Sequence, residues 1–283
     1  MEQNRVSSSG AGAIGETLGL IAGNGTYPMT VVRAARKAGV GRIVVAAFEN
    51  ETDPVIAGAV DAIDWMRVGQ LGRMIKFFAG EGVSQAMMIG QIAPKNLFDL
   101  RPDWRALLML GRLKVRNAES LFGGIADELA KDGITLLSAT TFLEDLLPPP
   151  GLVCGPTPGK RMLDDVTYGF GIAKEVSRLD IGQTVVVKKG TVLAVEGFEG
   201  TDECVKRGGA LGKGGATMAK VSKPRQDFRF DVPVVGARTI RTAGAAGVNV
   251  IAVEAGRTLI LEREEVFRLC AELKVSLYAV DPA

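Results

Sequence analysis

Short apolar runs alternate with helical periodicities along this chain, and their order predicts a fold class. TLGLIAG (Thr17 to Gly23) is a continuous apolar stretch that halts at Gly-Asn-Gly, meets Pro28 and passes into MTVVRAARKAG, whose apolar positions recur at helical spacing. RIVVAAF (Arg42 to Phe48) follows. Apolar runs without polar alternation suit strands buried on both faces of a parallel sheet, so the order is β, α, β. The pattern continues with a short strand over 62–66, a helix over 69–79, the strand SQAMMIG from Ser84 to Gly90, and helices over 104–115 and 119–131. The first half is expected to be a Rossmann-like three-layer α/β domain.

Pro148, Pro149 and Pro150 can neither continue a helix nor sit inside a sheet, which places a linker between Leu147 and Gly151. Beyond it the pattern predicts a helix over 164–179 and the strands TVVVKKG and TVLAVEG joined through Lys188-Lys189-Gly190. A short helix over 201–209 begins at a Thr-Asp cap, followed by the strand MAKVS, the extended segment RFDVPVVG and a helix over 239–246. The strands NVIAVEA and TLILE, a helix over 264–273 and the strand VSLYAV close the chain. The expected organisation is a disordered tail over 1–15, a Rossmann-like domain over 16–146 and a mixed α/β domain over 152–283.

A length of 283 residues suits two such domains, and 47% apolar with 23% charged residues excludes wholesale disorder. A net charge of +2 predicts no nucleic-acid partner, because the cations gather in one segment instead of along a face. Cys154, Cys204 and Cys270 are odd in number and far apart, as expected of reduced thiols in a cytoplasm. The first residues carry no apolar secretion segment and no run reaches membrane-spanning length, so a cytoplasmic location is expected.

The chain contains no histidine, which removes the Ser-His-Asp triad, histidine-ligated zinc and an imidazole base. Chemistry must then come from carboxylates, lysines, hydroxyls or a metal-bound water. Residues 194–238 hold Glu196, Glu199, Asp202, Asp227 and Asp231 as acids, with Lys213, Lys220, Lys223, Arg225 and Arg229 as cations. Glu196 to Asp202 follow an apolar strand, and strand ends are where α/β proteins place ligands. If 227–231 is extended, Asp227, Arg229 and Asp231 share one face and Phe228 and Phe230 the other. Asp231, between Phe230 and Val232-Pro233, is expected to be restrained and partly buried. Such a row suits a hard cation beside phosphate, since magnesium needs only one or two carboxylates when phosphates complete its shell. The bland alternative is solvated loop ion pairs, with Thr201-Asp202 simply capping a helix.

Two glycine-rich stretches stay open between ligand contact and plain geometry. Gly23-Asn24-Gly25 sits between a strand and a helix, where backbone N–H groups can meet phosphate, but Pro28 occupies the third glycine of the dinucleotide fingerprint. Glu49 would be the acid that fingerprint asks for. Gly208-Gly209 and Gly212-Lys213-Gly214-Gly215 lack P-loop spacing, and form either a loop closing over phosphate or a flexible stretch.

Taken together, LIAGNGTYP, LDIGQTVVVKKGTVLAVEGFEGTDE, KVSKPRQDFRFDVPVVG and GVNVIAVEAGRTLILER resemble the UDP-2,3-diacylglucosamine pyrophosphatase family of the LpxI type. The resemblance spans nearly the whole chain after the tail and is strongest over Asp180 to Asp202 and Lys220 to Gly236. It implies two α/β domains with the ligand between them, and magnesium-dependent cleavage of UDP-2,3-diacylglucosamine to UMP and 2,3-diacylglucosamine 1-phosphate during lipid A biosynthesis. It further implies a cytoplasmic enzyme, a homodimer and transient contact with the inner-membrane surface.

By the same resemblance the essential aspartate falls on Asp231, within Arg229-Phe230-Asp231-Val232-Pro233. Asp231 and Glu196 are the expected metal ligands. Gly23, Asn24, Gly25, Thr201, Asp202, Lys220, Lys223 and Arg229 are the expected substrate contacts. One departure stands out, because Arg116-Asn117-Ala118-Glu119 replaces an acidic Gly-Asp-Asp. Phe198, Met218, Phe228 and Phe230 are candidates to line an acyl groove. Two rival functions are a noncatalytic protein that binds nucleotide sugars or lipids, and an NAD-dependent oxidoreductase resting on the first glycine loop.

Overall fold

The computed structural model describes residues 16–92, 102–113, 118–224 and 226–282. The expected tail, Arg225, and Arg116 and Asn117 of the departure lie outside them. The chain divides into two compact units, 1–142 and 143–283.

In the first unit, β1 (Thr17–Ala22), β2 (Arg42–Phe48), β3 (Ala62–Met66), β4 (Gln85–Ile89) and β5 (Thr135–Leu136) form one sheet in the order β3-β2-β1-β4-β5. Every pair in it is parallel, as the apolar runs required. Leu18 and Leu20 on β1 and Ile43 to Ala47 on β2 are buried completely. Helices α1 (Tyr27–Lys37), α2 (Leu71–Gly80), α3 (Trp104–Arg112) and α4 (Ala118–Lys131) accompany the sheet. Strand order reverses between β1 and β4, which makes their C-terminal ends the place where such sheets open a crevice. β5 was not expected, because two residues leave no periodic signal.

In the second unit six strands make a mixed sheet: β6 (Gly151–Cys154), β7 (Thr184–Lys188), β8 (Thr191–Val195), β9 (Ala216–Lys220), β11 (Val248–Glu254) and β13 (Ser276–Val280). Their order is β6-β13-β11-β9-β7-β8, while β10 (Val234–Val235) pairs with β12 (Leu259–Ile260) apart from them. Alternate residues feed opposite faces. Val186, Met218 and Ile251 enter a core with α6 (Thr201–Gly212), α7 (Ala237–Ala245) and α8 (Arg263–Leu273). Val185, Val187, Ala219 and Val250 enter another beneath α5 (Lys160–Arg178). Two covered faces explain why these strands are apolar throughout.

Three expectations differ from what folds. The proline stretch is stitched into the second unit, since Pro148 O accepts from Gly256 N at 2.9 Å and Gly151 already begins β6. Residues 227–231 turn instead of extending: the N–H groups of Phe230 and Asp231 both donate to Asp227 O, at 3.2 and 3.0 Å. The cause is the Asp227 carboxylate, which accepts from Arg229 N at 3.0 Å and offers the backbone a turn in place of a ladder. Gly208, Gly209 and Gly212 lie within α6 and not in a loop, while Lys213, Gly214 and Gly215 follow it. A Cβ on Gly208 would meet Val186 Cβ at 2.5 Å, and one on Gly209 would meet Ala246 O at 2.1 Å.

Candidate active site

β9 runs parallel to β11 and antiparallel to β7, so its last residue, Lys220, lies beside Val253 on one side and Thr184 on the other. Chain segments that end or begin at this edge bring the acids there. Glu196 leaves β8 and bonds back through its backbone N–H to Thr184 O at 2.8 Å. Its carboxylate accepts from Thr201 Oγ1 at 2.9 Å and from Gln183 N at 3.2 Å, closing the strand exit onto the first turn of α6. Asp202, one residue on, pairs with Arg238 at 2.5 Å.

Lys220 is the centre of this edge. Burial lowers the pKa of its ammonium, and the negative charges of Glu196, Asp202 and Asp231 oppose that fall. Its Nζ donates to Val234 O at 3.4 Å. Glu196, Asp202 and Asp231 are therefore the acids whose charge acts on this part-buried cation. That arrangement favours a second anion only where the site also gains positive charge, from an incoming cation or from basic residues turning toward it.

The turn beyond Lys220 supplies such residues. Arg229 is exposed and clasps Asp227 through a forked pair, at 2.6 Å from Nη2 and 3.0 Å from Nε, and this arginine holds the Asp227 pKa below its ordinary value. Lys223 reaches Asp180 across 43 residues of sequence. Gln226 ties the turn together: its side chain accepts from Lys223 N at 2.6 Å and from Gln183 Nε2 at 3.2 Å, and donates to Asp231 O at 3.1 Å. Asp231 itself is exposed, in contrast to the partly buried carboxylate expected from its apolar neighbours. The turn that replaces the extended segment is what carries it to the surface.

Of the apolar groove candidates, Met218 is completely buried in the sheet core. Phe228 and Phe230 are half-buried against Arg257 and Arg229, at 5.9 and 6.0 Å. Phe198 stands 98% exposed between Glu196 and Asp202. Its loop is held by Glu199, which accepts from Gly197 N at 3.0 Å and from Arg207 at 2.5 Å.

Gly23, Asn24 and Gly25 belong to the first unit, at its strand-order switch. A backbone bridge crosses there, with Gly23 N donating to Ile89 O and Asn24 N to Gln91 O, both at 2.8 Å. A Cβ on Gly23 would meet Gln91 O at 2.4 Å, so this bridge accounts for the glycine without any ligand. Asn24 Nδ2 donates to Glu51 at 2.7 Å, and Glu51 is buried. Glu49, the acid the dinucleotide reading needed, instead pairs with Arg67 at 3.4 Å on the surface.

Glu254 escaped the sequence reading and is wholly buried at the end of β11. It accepts from Ser222 N at 2.5 Å, from the Ser222 hydroxyl and from the Lys174 ammonium, which fixes the chain directly after Lys220. Gln183 and Gln226 were also missed, because neutral amides carry no charge pattern. Among the described residues no three His, Cys, Asp or Glu side chains gather as a metal cage. The donor set fits magnesium only in its sparser form, with one or two carboxylate oxygens and the remainder from phosphate and water.

Residues 17–146 match the LpxI N-terminal domain and residues 149–278 match the LpxI C-terminal domain. The chain belongs to this two-domain α/β family. A curated protein of Caulobacter vibrioides, named UDP-2,3-diacylglucosamine pyrophosphatase LpxI, is 32% identical over 276 residues, covering 94% of this chain and 98% of the relative.

Proposed function

We propose that this chain is a hydrolase that cleaves the pyrophosphate of UDP-2,3-diacylglucosamine to UMP and 2,3-diacylglucosamine 1-phosphate, a cytoplasmic step of lipid A biosynthesis. The observation that carries the reading is the likeness, along almost the whole chain, to a protein named as a pyrophosphatase of that substrate, together with a sheet edge where Glu196 bonds back to Thr184, the strand neighbour of Lys220. Magnesium, when bound, supplies charge neutralisation and polarisation of the phosphates. Asp231 and, through lone pairs not spent on Thr201 and Gln183, Glu196 would be its protein oxygen donors.

The chain's own groups do the positioning. Asp231 orients the attacking water toward the phosphorus nearer the sugar. The water oxygen joins that phosphorus, the bond from it to the bridging oxygen breaks, and the bridging oxygen leaves with UMP. Lys220 faces the departing charge, while Arg229 and Lys223 exchange Asp227 and Asp180 for phosphate oxygens. Thr201 and Asp202, at the start of α6, present backbone N–H groups to the same charge.

The test is UMP release from UDP-2,3-diacylglucosamine by the purified full chain, with magnesium and with chelator. Magnesium-dependent release is expected, and in 18O-labelled water the label enters the sugar phosphate. No release under either condition overturns the reaction, whereas release that survives chelation overturns only the metal.

A further inference from the structure

Cys154 ends β6, the edge strand at the far side of the second sheet from β8, and pairs with Leu277 of β13 where the register shifts. It is partly exposed and packs against the core that holds Cys270, a completely buried residue of α8. The two side chains are hydrogen-bonded, the Cys270 thiol donating to the Cys154 sulfur. That bond, joined by the Leu277 N–H and the positive charge of Arg263, holds the Cys154 pKa below its ordinary value against the opposing effect of burial. Donating the bond, and then burial, push the Cys270 pKa up. Arg263 is itself fixed, donating to Asp145 O at 3.2 Å. Cys204 is the contrast within the same core: it is completely buried, its thiol is spent on Thr184 O at 3.9 Å, and burial pushes its pKa up to about 12.

We infer that Cys154 and Cys270 are a redox-active pair, which hydrogen peroxide converts to a disulfide joining β6 to α8. A peroxide-sensing site needs a partly exposed sulfur beside positive charge and a second thiol in reach to resolve it, and Cys154, Arg263 and Cys270 supply those parts. The Cys154 sulfur gives up its proton and attacks one peroxide oxygen; the S–O bond forms, the O–O bond breaks, and the departing hydroxide takes that proton as water. The Cys270 sulfur then attacks the Cys154 sulfur; the S–S bond forms, the S–O bond breaks, and a second water leaves with the Cys270 proton. Two thiols lose two electrons and the peroxide gains them. A reducing compartment returns both thiols by exchange. β6 has a ladder partner on one side only, so the bond adds a covalent tie at an edge that is otherwise free to fray. The inference stands apart from the proposed reaction, because β6 and α8 carry none of the residues assigned to it.

The experiment treats the reduced full chain with a roughly tenfold excess of hydrogen peroxide and then alkylates the remaining thiols in denaturant. The wild-type protein is expected to lose two hydrogens in mass, to keep Cys204 alone open to alkylation, and to yield a proteolytic peptide pair linking Cys154 to Cys270. Dithiothreitol should restore all three thiols. Closing so long a loop should also raise the melting midpoint by about 5 °C. In Cys270→Ala the resolving thiol is gone, so dimedone capture of sulfenic acid at Cys154 should rise about tenfold over wild type. In Cys154→Ser neither sulfenic acid nor disulfide should form. Three alkylatable thiols in the treated wild type, a linked peptide containing Cys204, or a dimer bridged through two copies of Cys154 would each overturn the pair. These wild-type outcomes decide the matter even where Cys270→Ala folds poorly. An oxidised protein that melts no higher than the reduced one would overturn the bond's role as a tie.

Discussion

Both units end parallel strands at a ligand-ready edge, yet the two edges are finished differently. In the first unit the switch between β1 and β4 is bridged by backbone, Gly23 and Asn24 to Ile89 and Gln91, with Glu51 spent on Asn24. In the second unit the edge around β9 sets Lys220 beside Thr184, to which Glu196 bonds back, and the charges of Glu196, Asp202 and Asp231 act on that lysine. Topology offers a crevice at each, while the charges that chemistry needs sit at one. The contrast is one of finish: backbone ties close the first edge, while side chains of both charges collect at the second.

The sharpest way to break that contrast is Asp231→Asn. Turnover should fall by about 100- to 1,000-fold, the usual cost of removing one preorganised electrostatic group. The variant should still melt cooperatively because Asp231 is an exposed residue. A variant of normal activity would move the chemistry elsewhere. Glu254→Gln tests whether the charged edge depends on its buried support. Losing the anion strands Lys174, and chemical denaturation should show a loss of about 3 kcal/mol, the lower end for breaking a buried pair because Lys174 is part exposed.

Gly23→Ala probes the neutral edge. The added methyl meets Gln91 O, so a loss of about 2 kcal/mol is expected, confined to the first unit in a domain-resolved hydrogen-exchange measurement. Equal loss of protection in the second unit would deny the separation. The smallest effect concerns pH. The folded pKa of Lys220 lies below its ordinary 10.5. Between those two values the unfolded chain binds more protons, so stability rises with pH across that window. Lys220→Met should remove the rise, leaving a flatter alkaline stability profile by denaturant titration.

Most of the strands were legible because continuous apolar runs such as Ile43 to Ala47 have few other uses in a soluble chain. β5 and β6, at two and four residues, gave no period to detect. The turn at 227–231 was hidden by Asp-Phe-Arg-Phe-Asp, whose alternation imitates a strand, while the decisive bond runs from a side chain to the backbone. The acids and cations of the site were visible as types. Their pairings were not, because Lys223 with Asp180 and Lys174 with Glu254 join residues far apart in sequence. Glu254 looked like the polar end of a strand, and only burial shows it as a support.

The glycine face of α6 carries a consequence for anyone who would redesign this protein. Gly208 and Gly209 admit no side chain against Val186 and Ala246, so the helix bearing Thr201 and Asp202 has a fixed seat with no shim available. Substrate preference can then be retuned by changing what α6 presents at its first turn, but hardly by shifting the helix. Directed evolution here should find its gains at Phe198 and the exposed turn, and its dead ends at these two glycines.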